Sequence, residues 1–291
     1  MQPVSGLVVV DKDGAMTSHD VVARVRRLAG TRKVGHAGTL DPMATGVLVV
    51  GVNRATRLLG HLMLTEKAYD ATIRLGESTT TDDAEGELVE RLSTADVTDA
   101  AIQAALGAFA GEIEQVPSAV SAIKVDGKRA YQRVRDGEDV QLASRRVTIH
   151  GLTTSRIARA GEVVDVEVSV RCSSGTYIRS IARDLGAALG VGGHLTSLRR
   201  TAVGGFGLDR AHTLAELSES FALVPIAEAA RASFPAVDLD DVRAADVRVG
   251  RRLALDLGAA GPVAVFAPDG EFLALYEQRG DEARAVAVFT G

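Results

Sequence analysis

The segment GHAGTLDPMATG at residues 35–46 and the apolar run VLVVGV at 47–52 constrain the fold more than any other part of the sequence. A short valine-rich run bounded by turn residues is typical of a buried strand. The glycines before it allow unusual backbone angles and the close approach of a ligand. Asp41 stands before a proline, which favours an extended conformation and holds the carboxylate in one direction. The pattern predicts a rigid loop that presents Asp41 beside a buried strand.

The remaining chain alternates between short apolar runs and amphipathic stretches. Strands are predicted at 6–10, 69–75, 147–157, 163–171 and 194–206, and helices at 18–29, 54–64, 99–110 and 178–189, with Ser18 as the cap of the first helix. After about residue 232 the pattern changes to apolar runs separated by turns, including a Pro-Asp-Gly turn. We therefore predict an α+β fold, with a larger domain at 1–232 and a small all-β domain at 233–291.

Several functional classes are excluded by motifs that the sequence lacks. A single cysteine, Cys172, allows no intrachain disulfide and indicates a reducing compartment. Neither a signal peptide nor an apolar run of the ~20 residues needed to cross a bilayer is present, which predicts a cytoplasmic protein without a membrane partner. His and Cys spacings typical of metal sites, the glycine–lysine spacing of a P-loop and serine-nucleophile motifs are also missing.

Basic residues are concentrated in two segments although the formal net charge is −5. Residues 17–61 hold seven Lys or Arg against two Asp, and residues 121–150 hold seven against four acidic residues. The second segment overlaps a basic, polar stretch at 115–146 that looks inserted between better-patterned regions. Local patches of this kind can attract phosphates, although a run of charge is more often a solvated face.

Two further groups of residues carry possible chemistry. In SSGTYIRSI, Tyr177 and Arg179 are two positions apart, and Arg179 can pair with a buried carboxylate. Tyr69 alone is an ordinary half-buried strand tyrosine. Structural roles explain each of these residues equally well, as an ordinary Asp-Pro turn explains Asp41. Spacing does not join the three segments.

Six segments, taken in their order along the chain, are much more specific than any one of them. They are GLVVVDKDGAMTSHDVV, GHAGTLDPMATGVLVVGVNRATRL, KAYDATIRLGESTTTDDAEG, QVPSAVSAIKVDGKRAY, GTYIRSIARDLG and GGHLTSLRRTAVGGF. Over about residues 5–230 they resemble the bacterial tRNA pseudouridine synthase B family. The resemblance implies a mixed, mainly antiparallel sheet flanked by helices, an RNA-gripping insertion at about 115–146 and a small C-terminal β-barrel of the PUA type.

The resemblance also implies roles for individual residues. Asp41 matches the catalytic aspartate, Arg179 the arginine that pairs with it, and Tyr69 the tyrosine that stacks on the target base and helps to remove the proton at C5. Further residues match positions that hold the substrate: Lys12, His36, Asp83, Tyr177, Lys124, Lys128 and Arg129. The implied reaction converts uridine 55 of the tRNA T-loop to pseudouridine without a cofactor or metal. The implied partner is the T-arm of tRNA, bound by a monomer that needs no protein partner.

Two alternatives remain beside this interpretation. One is a pseudouridine synthase for another RNA, such as the ribosomal-RNA type that works with guide RNAs. The other is a non-catalytic RNA-binding or RNA-folding protein with the same fold. The presence of Asp41, Tyr69 and Arg179 together favours an enzyme, and the insertion with the compact C-terminal module favours one that acts alone on tRNA.

Overall fold

Valine-rich runs form strands and amphipathic stretches form helices in a computed structural model of the chain. The structure describes residues 5–118 and 142–290, together with the backbone of 124–125 and 128–129. The strands are β1 (Gly6–Lys12), β2 (Val34–His36), β3 (Thr45–Val52), β4 (Lys67–Leu75), β5 (Glu77–Thr79), β6 (Leu88–Arg91), β7 (Gly111–Gln115), β8 (Lys124–Val125), β9 (Lys128–Arg129), β10 (Arg145–Ala160), β11 (Val163–Cys172), β12 (Gly193–Val203), β13 (Phe206–Gly207), β14 (Val224–Pro225), β15 (Ala236–Asp238), β16 (Val263–Phe266), β17 (Phe272–Arg279) and β18 (Glu282–Val288). The helices are α1 (Ser18–Leu28), α2 (Leu59–Leu62), α3 (Asp99–Gly107), α4 (Ile178–Ala188), α5 (Leu214–Glu219), α6 (Ile226–Ser233) and α7 (Asp241–Arg248), with 3-10 turns at Asn53–Arg57 and Leu208–Arg210.

One large mixed sheet carries most of the fold. Its strands follow the order β14, β1, β3, β12, β4, β11, β10, β7, with β2 paired to β3 and β13 to β12. The described pairs are antiparallel except β3 with β12, which run parallel where Thr45 and Gly46 lie beside Arg199 and Arg200. The predicted mixed, mainly antiparallel sheet with flanking helices is confirmed. The parallel pair brings the end of the Asp41 loop next to β12.

The central strands are buried on both faces, which explains their uninterrupted apolar runs. Val8 and Val10 of β1 belong to a core cluster shared with α1, α4 and α5. Leu7 and Val9, which point to the opposite face, belong to a second cluster that includes side chains of the C-terminal sheet. Successive side chains of β1 thus point to opposite faces of the sheet, and the strand is packed between two layers. This packing fixes the positions of the loops at its ends.

Helix α1 begins one residue earlier than its predicted cap implies. Thr17 is the N-cap: its hydroxyl accepts from the Asp20 amide, and the Asp20 carboxylate accepts from the Thr17 amide, which is a capping box. Ser18 instead uses its buried hydroxyl on Leu40, accepting from the amide at 2.9 Å and donating to the carbonyl at 3.0 Å. The prediction that Ser18 caps the helix was wrong, because this hydroxyl fastens the Asp41 loop to α1.

The helix predicted at 54–64 is broken into two short pieces. Asn53 has a φ of +55°, a 3-10 turn follows at Asn53–Arg57, and α2 covers only Leu59–Leu62. No side chain caps either piece. The positive φ at Asn53 turns the chain away from the direction of β3. The apolar residues at 54–64 repeat with a helical period because each of the short turns contributes side chains to the second core cluster.

The C-terminal segment forms an open four-stranded sheet in the order β15, β16, β17, β18, and its described strands do not close into a barrel. Phe266, Phe272 and Phe289 of this sheet pack into the same core cluster as β1 and β3. The small C-terminal sheet domain is confirmed, but the expected β-barrel is not found among the described strands, and α7 lies within the segment that was predicted to be all-β. The boundary at 232/233 stays a prediction. Among the described residues no helix is long and apolar enough to cross a membrane.

Candidate active site

Asp41 lies in the loop between β2 and β3. The loop is fastened at one side by the Ser18 hydroxyl on Leu40 and closed by a turn in which the Ala44 amide donates to the Asp41 carbonyl at 3.1 Å. The Asp41 side chain keeps 35% of its surface exposed. Its backbone is thus held on both sides while its carboxylate faces an opening.

The glycine at the end of this loop, Gly46, allows strands β3 and β12 to pack closely. Gly46 has a φ of +96°, and a Cβ added to it would lie 2.2 Å from the backbone oxygen of Arg200. Any larger residue would push β12 away from β3. The sequence interpretation, in which the loop glycines make room for a ligand, does not account for Gly46.

Arg179, in the first turn of α4, is the ion-pair partner of Asp41. Its Nε lies 3.1 Å from Asp41 Oδ2, and only 5% of its side chain is exposed. Behind it, Nη1 lies 3.5 Å from Oδ2 of the buried Asp83 and donates to the Thr81 carbonyl at 3.0 Å. A guanidinium that is buried and paired in this way can hold a carboxylate in a fixed position.

Residues 115–118 bind the start of the helix that carries Arg179. Gln115 is buried and makes two hydrogen bonds with the backbone of Tyr177, at 2.8 Å to its amide and 3.0 Å to its carbonyl. Ser180 Oγ donates to the Val116 carbonyl at 3.0 Å, and Arg179 Nη1 lies 3.4 Å from Ser118 Oγ. Sequence reasoning missed Gln115, because its role depends on a contact between segments 62 residues apart.

A pocket of about 290 Å³ opens beside Asp41. Four predicted site residues line it: Asp41, Tyr69, Tyr177 and Arg179. Tyr69, on β4, is 8% exposed, and burial raises the pKa of its hydroxyl, a shift that the positive charge of Arg200 opposes. The structure therefore joins the three segments that spacing alone left apart.

Two cations that line the same pocket escaped the sequence analysis. Lys67 lies two residues before Tyr69 on the same face of β4, and its Nζ donates to the carbonyls of Met63 at 2.9 Å and Thr65 at 2.8 Å. Burial, together with the nearby Arg200, lowers the pKa of Lys67 to about 8. Arg200, on β12, is 1% exposed. The available signal was the two-residue period of each strand, which places both charges on the inward face.

Three predicted substrate-binding residues lie around the pocket but do not line it. Lys12 is fully buried, and its Nζ donates to the carbonyl of Pro42 at 3.2 Å, next to Asp41. Asp83 is buried behind Arg179. His36, on β2, makes an edge contact with His19, the ring centres being 5.7 Å apart. Lys12 and Asp83 are placed to support the loop and the arginine; their contact with substrate stays a prediction.

The predicted RNA-gripping residues fall largely outside the described part of the chain. Lys124 and Arg129 pair in a short hairpin, as do Val125 and Lys128, but the description covers only their backbone. No cluster of His, Cys, Asp and Glu suited to a metal ion occurs in the portion of the chain that is described.

Two basic residues of the 17–61 patch make hydrogen bonds to the end of the C-terminal sheet. Arg54 donates to the carbonyl of Phe289 at 3.1 Å, and Arg57 donates to that of Val288 at 2.9 Å. Arg54 is half-buried, whereas Arg57 is exposed. The charge of Arg57 therefore still belongs to the surface of the patch.

Family models match almost the whole chain. Residues 26–178 match TruB family pseudouridylate synthase (N terminal domain), residues 179–233 match tRNA pseudouridylate synthase B C-terminal domain, and residues 234–290 match tRNA Pseudouridine synthase II, C terminal. A tRNA pseudouridine synthase B from Arthrobacter sp. (strain FB24) is 59% identical over 98% of this chain and 97% of its own length. A relative of the same name from Thermobifida fusca (strain YX) is 59% identical over 98% and 99%.

Solved structures show the same fold. A Cbf5-Nop10-Gar1 complex contains a chain with a TM-score of 0.74 and 28% identity, covering 98% of this chain and 85% of that one. A structure of an H/ACA RNP bound to a substrate RNA containing 2'-deoxyuridine gives a TM-score of 0.74 at 26% identity, with the same coverage. The family models cover almost the whole chain and the relatives are 59% identical over nearly their full length, so the chain belongs to the TruB family of pseudouridylate synthases.

Proposed function

We propose that this enzyme converts uridine to pseudouridine in the T-loop of tRNA, at position 55, with Asp41 as the catalytic carboxylate. The observation that carries the proposal is the pairing of the part-exposed Asp41 with the buried Arg179 at the edge of a pocket that Tyr69 also lines. The name tRNA pseudouridine synthase B, borne by relatives at 59% identity, supports tRNA as the substrate.

The reaction needs no oxidant or reductant. The bond between N1 and C1′ breaks, a bond between C5 and C1′ forms, the proton on C5 leaves and N1 gains a proton. A carboxylate can start this sequence by attack at C1′, by attack at C6 or by removal of the 2′ proton. Arg179 pairs with Asp41 and orients its carboxylate for any of the three. Which atom Asp41 reaches is decided by the pose of the base in the pocket.

The ring of Tyr69 provides a surface on which a flipped-out base can stack. Extracting a uridine from a folded loop costs a few kcal/mol, and stacking on an aromatic ring returns ~1–3 kcal/mol per base. The pocket of about 290 Å³ is of a size for one nucleoside rather than a duplex.

Recognition of the surrounding RNA is assigned to basic residues rather than to the pocket. Arg24, Arg27 and Arg32 are exposed around α1, and Lys124, Lys128 and Arg129 belong to the segment matched to the family's RNA-gripping insertion. Contacts to phosphates fix the register of the RNA, while the shape of the loop provides specificity. Binding by a monomer without a protein partner completes the proposal.

The test is incubation of the purified protein with an unmodified tRNA transcript, followed by mapping of pseudouridine along the RNA. Pseudouridine at uridine 55 alone is the expected result. A matched transcript with cytidine at that position should give none. Product only at other sites, or only in a ribosomal RNA with a guide RNA, would contradict the T-loop assignment.

A further inference from the structure

Arg200 is a buried cation with no ion-pair partner among the described residues. Its side chain is 1% exposed, and it belongs to none of the ion pairs among the described residues, such as those of Arg179 and Arg199. The neighbouring Arg199 provides a contrast, because it is part-exposed and pairs with Asp11 at 2.7 Å. A buried charge without a counter-ion is costly, so its retention calls for a role.

The guanidinium is satisfied by three backbone carbonyls. Nε donates to Val47 at 2.7 Å, Nη2 to Gly38 at 3.2 Å and Nη1 to Thr39 at 3.4 Å. These bonds tie β12 to both ends of the Asp41 loop. Carbonyl dipoles orient a guanidinium but leave its net charge in place, and that charge acts strongly in a poorly hydrated site.

Tyr69 is the neighbour that this charge affects most directly. Tyr69 and Arg200 are register partners on β4 and β12, and both line the pocket. A cation next to a buried phenol favours the phenolate over the phenol. The pKa of Tyr69 is raised overall, because burial raises it more than the charge of Arg200 lowers it, and Cys172 and Asp41 also raise it.

We propose that Arg200 is a positioning residue with two effects: it holds residues 38–39 of the Asp41 loop, and it stabilises Tyr69 as the phenolate that takes the C5 proton. The inference rests on the role proposed for Tyr69 in the reaction. In that step the C5–H electron pair returns to the ring as the C5–C6 double bond and the proton passes to the Tyr69 oxygen. The phenol has lost its own proton to water beforehand, and N1 takes one from water.

The ionisation of Tyr69 can be measured without RNA. The chain has no Trp and four Tyr, so near-ultraviolet absorbance reports tyrosinate cleanly. The difference between the titrations of the unaltered protein and Tyr69→Phe isolates Tyr69. In Arg200→Gln, whose amide can still donate to a carbonyl, Tyr69 should ionise about one pH unit higher. In Arg200→Lys, which keeps the charge, the titration should stay near that of the unaltered protein. Arg199→Met is the matched control and should leave it unchanged.

Kinetics on a T-arm stem-loop provide the second readout. Arg200→Gln should lower kcat by roughly 10- to 100-fold with little change in KM, and should displace the rise of kcat with pH in the same direction as the tyrosinate titration. In the Tyr69→Phe background the displacement should vanish, because the effect passes through that hydroxyl.

Outcomes that overturn the proposal are distinct from a failure of the T-loop assignment. An unmoved Tyr69 titration in Arg200→Gln would overturn it, as would a kinetic displacement that persists without the Tyr69 hydroxyl. Failure of both Arg200 variants to fold, judged by circular dichroism, would assign the residue to the fold alone and overturn it too. If the unaltered protein makes no pseudouridine, the T-loop assignment fails, while the titration still decides whether Arg200 acts on Tyr69.

Discussion

The side-chain amide of Gln115 binds both the amide and the carbonyl of Tyr177, the residue that precedes α4. Tyr177 is the N-cap of this helix, and its own side chain makes no capping bond. Gln115 therefore holds the N-cap residue in place from another strand. Since Arg179 lies in the first turn of α4, the direction of its guanidinium depends on this contact.

Replacing Gln115 with Leu should test this dependence. The Tyr177 amide and carbonyl would each lose the hydrogen bond to Gln115, at a cost of about 1–3 kcal/mol in the free energy of unfolding. We expect kcat to fall while KM for the RNA stays within a few-fold, because α4 and Arg179 shift relative to Asp41. Denaturant titration and steady-state kinetics measure the two effects. The exposed neighbour Glu114→Gln should change neither, and an unchanged kcat in Gln115→Leu would show that α4 holds its position unaided.

Substitution of Asp41 by Asn should abolish product formation and leave tRNA binding intact. The amide has the shape of the carboxylate but cannot act as a nucleophile or base at this site. Filter binding and pseudouridine mapping on the same preparation separate the two properties. Retained turnover on a T-arm stem-loop would remove Asp41 from the chemistry.

Replacement of Tyr69 by Phe should slow the reaction by about 10²-fold or more without weakening RNA binding. Phe keeps the ring for stacking and loses the hydroxyl to which we assign the C5 proton. Single-turnover kinetics at saturating RNA measure the chemical step. A rate equal to that of the unaltered enzyme would restrict Tyr69 to stacking.

Charge reversal of Arg129 and Arg133 should weaken tRNA binding and flatten its dependence on salt. Each lost phosphate contact reduces the slope of log affinity against log salt by about 1. Arg54→Met provides a comparison, because this half-buried arginine binds the carbonyl of Phe289. It should lower stability and leave the slope unchanged; equal slopes in all variants would mean that the insertion does not touch the RNA.

Lys67 should make stability rise with pH between about 8 and 10.5. Its pKa is about 8 in the folded protein, against 10.5 for an ordinary lysine. Between these values the unfolded chain binds the proton and the folded one does not, so raising the pH favours folding. Chemical denaturation across this range, compared with Lys67→Met, isolates the contribution. The stability difference between the two proteins should move in favour of Lys67 as the pH rises, and a constant difference would contradict the depressed pKa.

Local patterns were sufficient for much of the fold. Valine-rich runs at 6–10 and 47–52 predicted β1 and β3, because both strands are buried on both faces. The apolar period at 178–189 predicted α4. The broken helix at 54–64 shows where such patterns fail. Asn53 adopts a positive φ directly after β3, and the apolar period of the sequence gives no sign of this backbone conformation.

The site was predictable only where a familiar motif marks it. Asp41, Tyr69 and Arg179 were assigned through their resemblance to a family, and the structure brings them to one pocket. Lys67 and Arg200 were missed because an isolated cation in a strand is more often solvated than buried. Their burial depends on carbonyls from loops distant in sequence, and such backbone partners leave no signature in the amino-acid order.

The close approach of Gly46 to Arg200 has an evolutionary consequence. Any side chain at position 46 displaces the strand backbone at position 200, and with it the guanidinium that holds the Asp41 loop and reaches Tyr69. The residue at position 46 and the backbone at position 200 can therefore change only together, although 153 residues lie between them. A substitution at Gly46 is therefore tolerated only together with a change in the backbone of β12. The close packing of the two strands excludes most single substitutions at this position, whatever their effect on RNA modification.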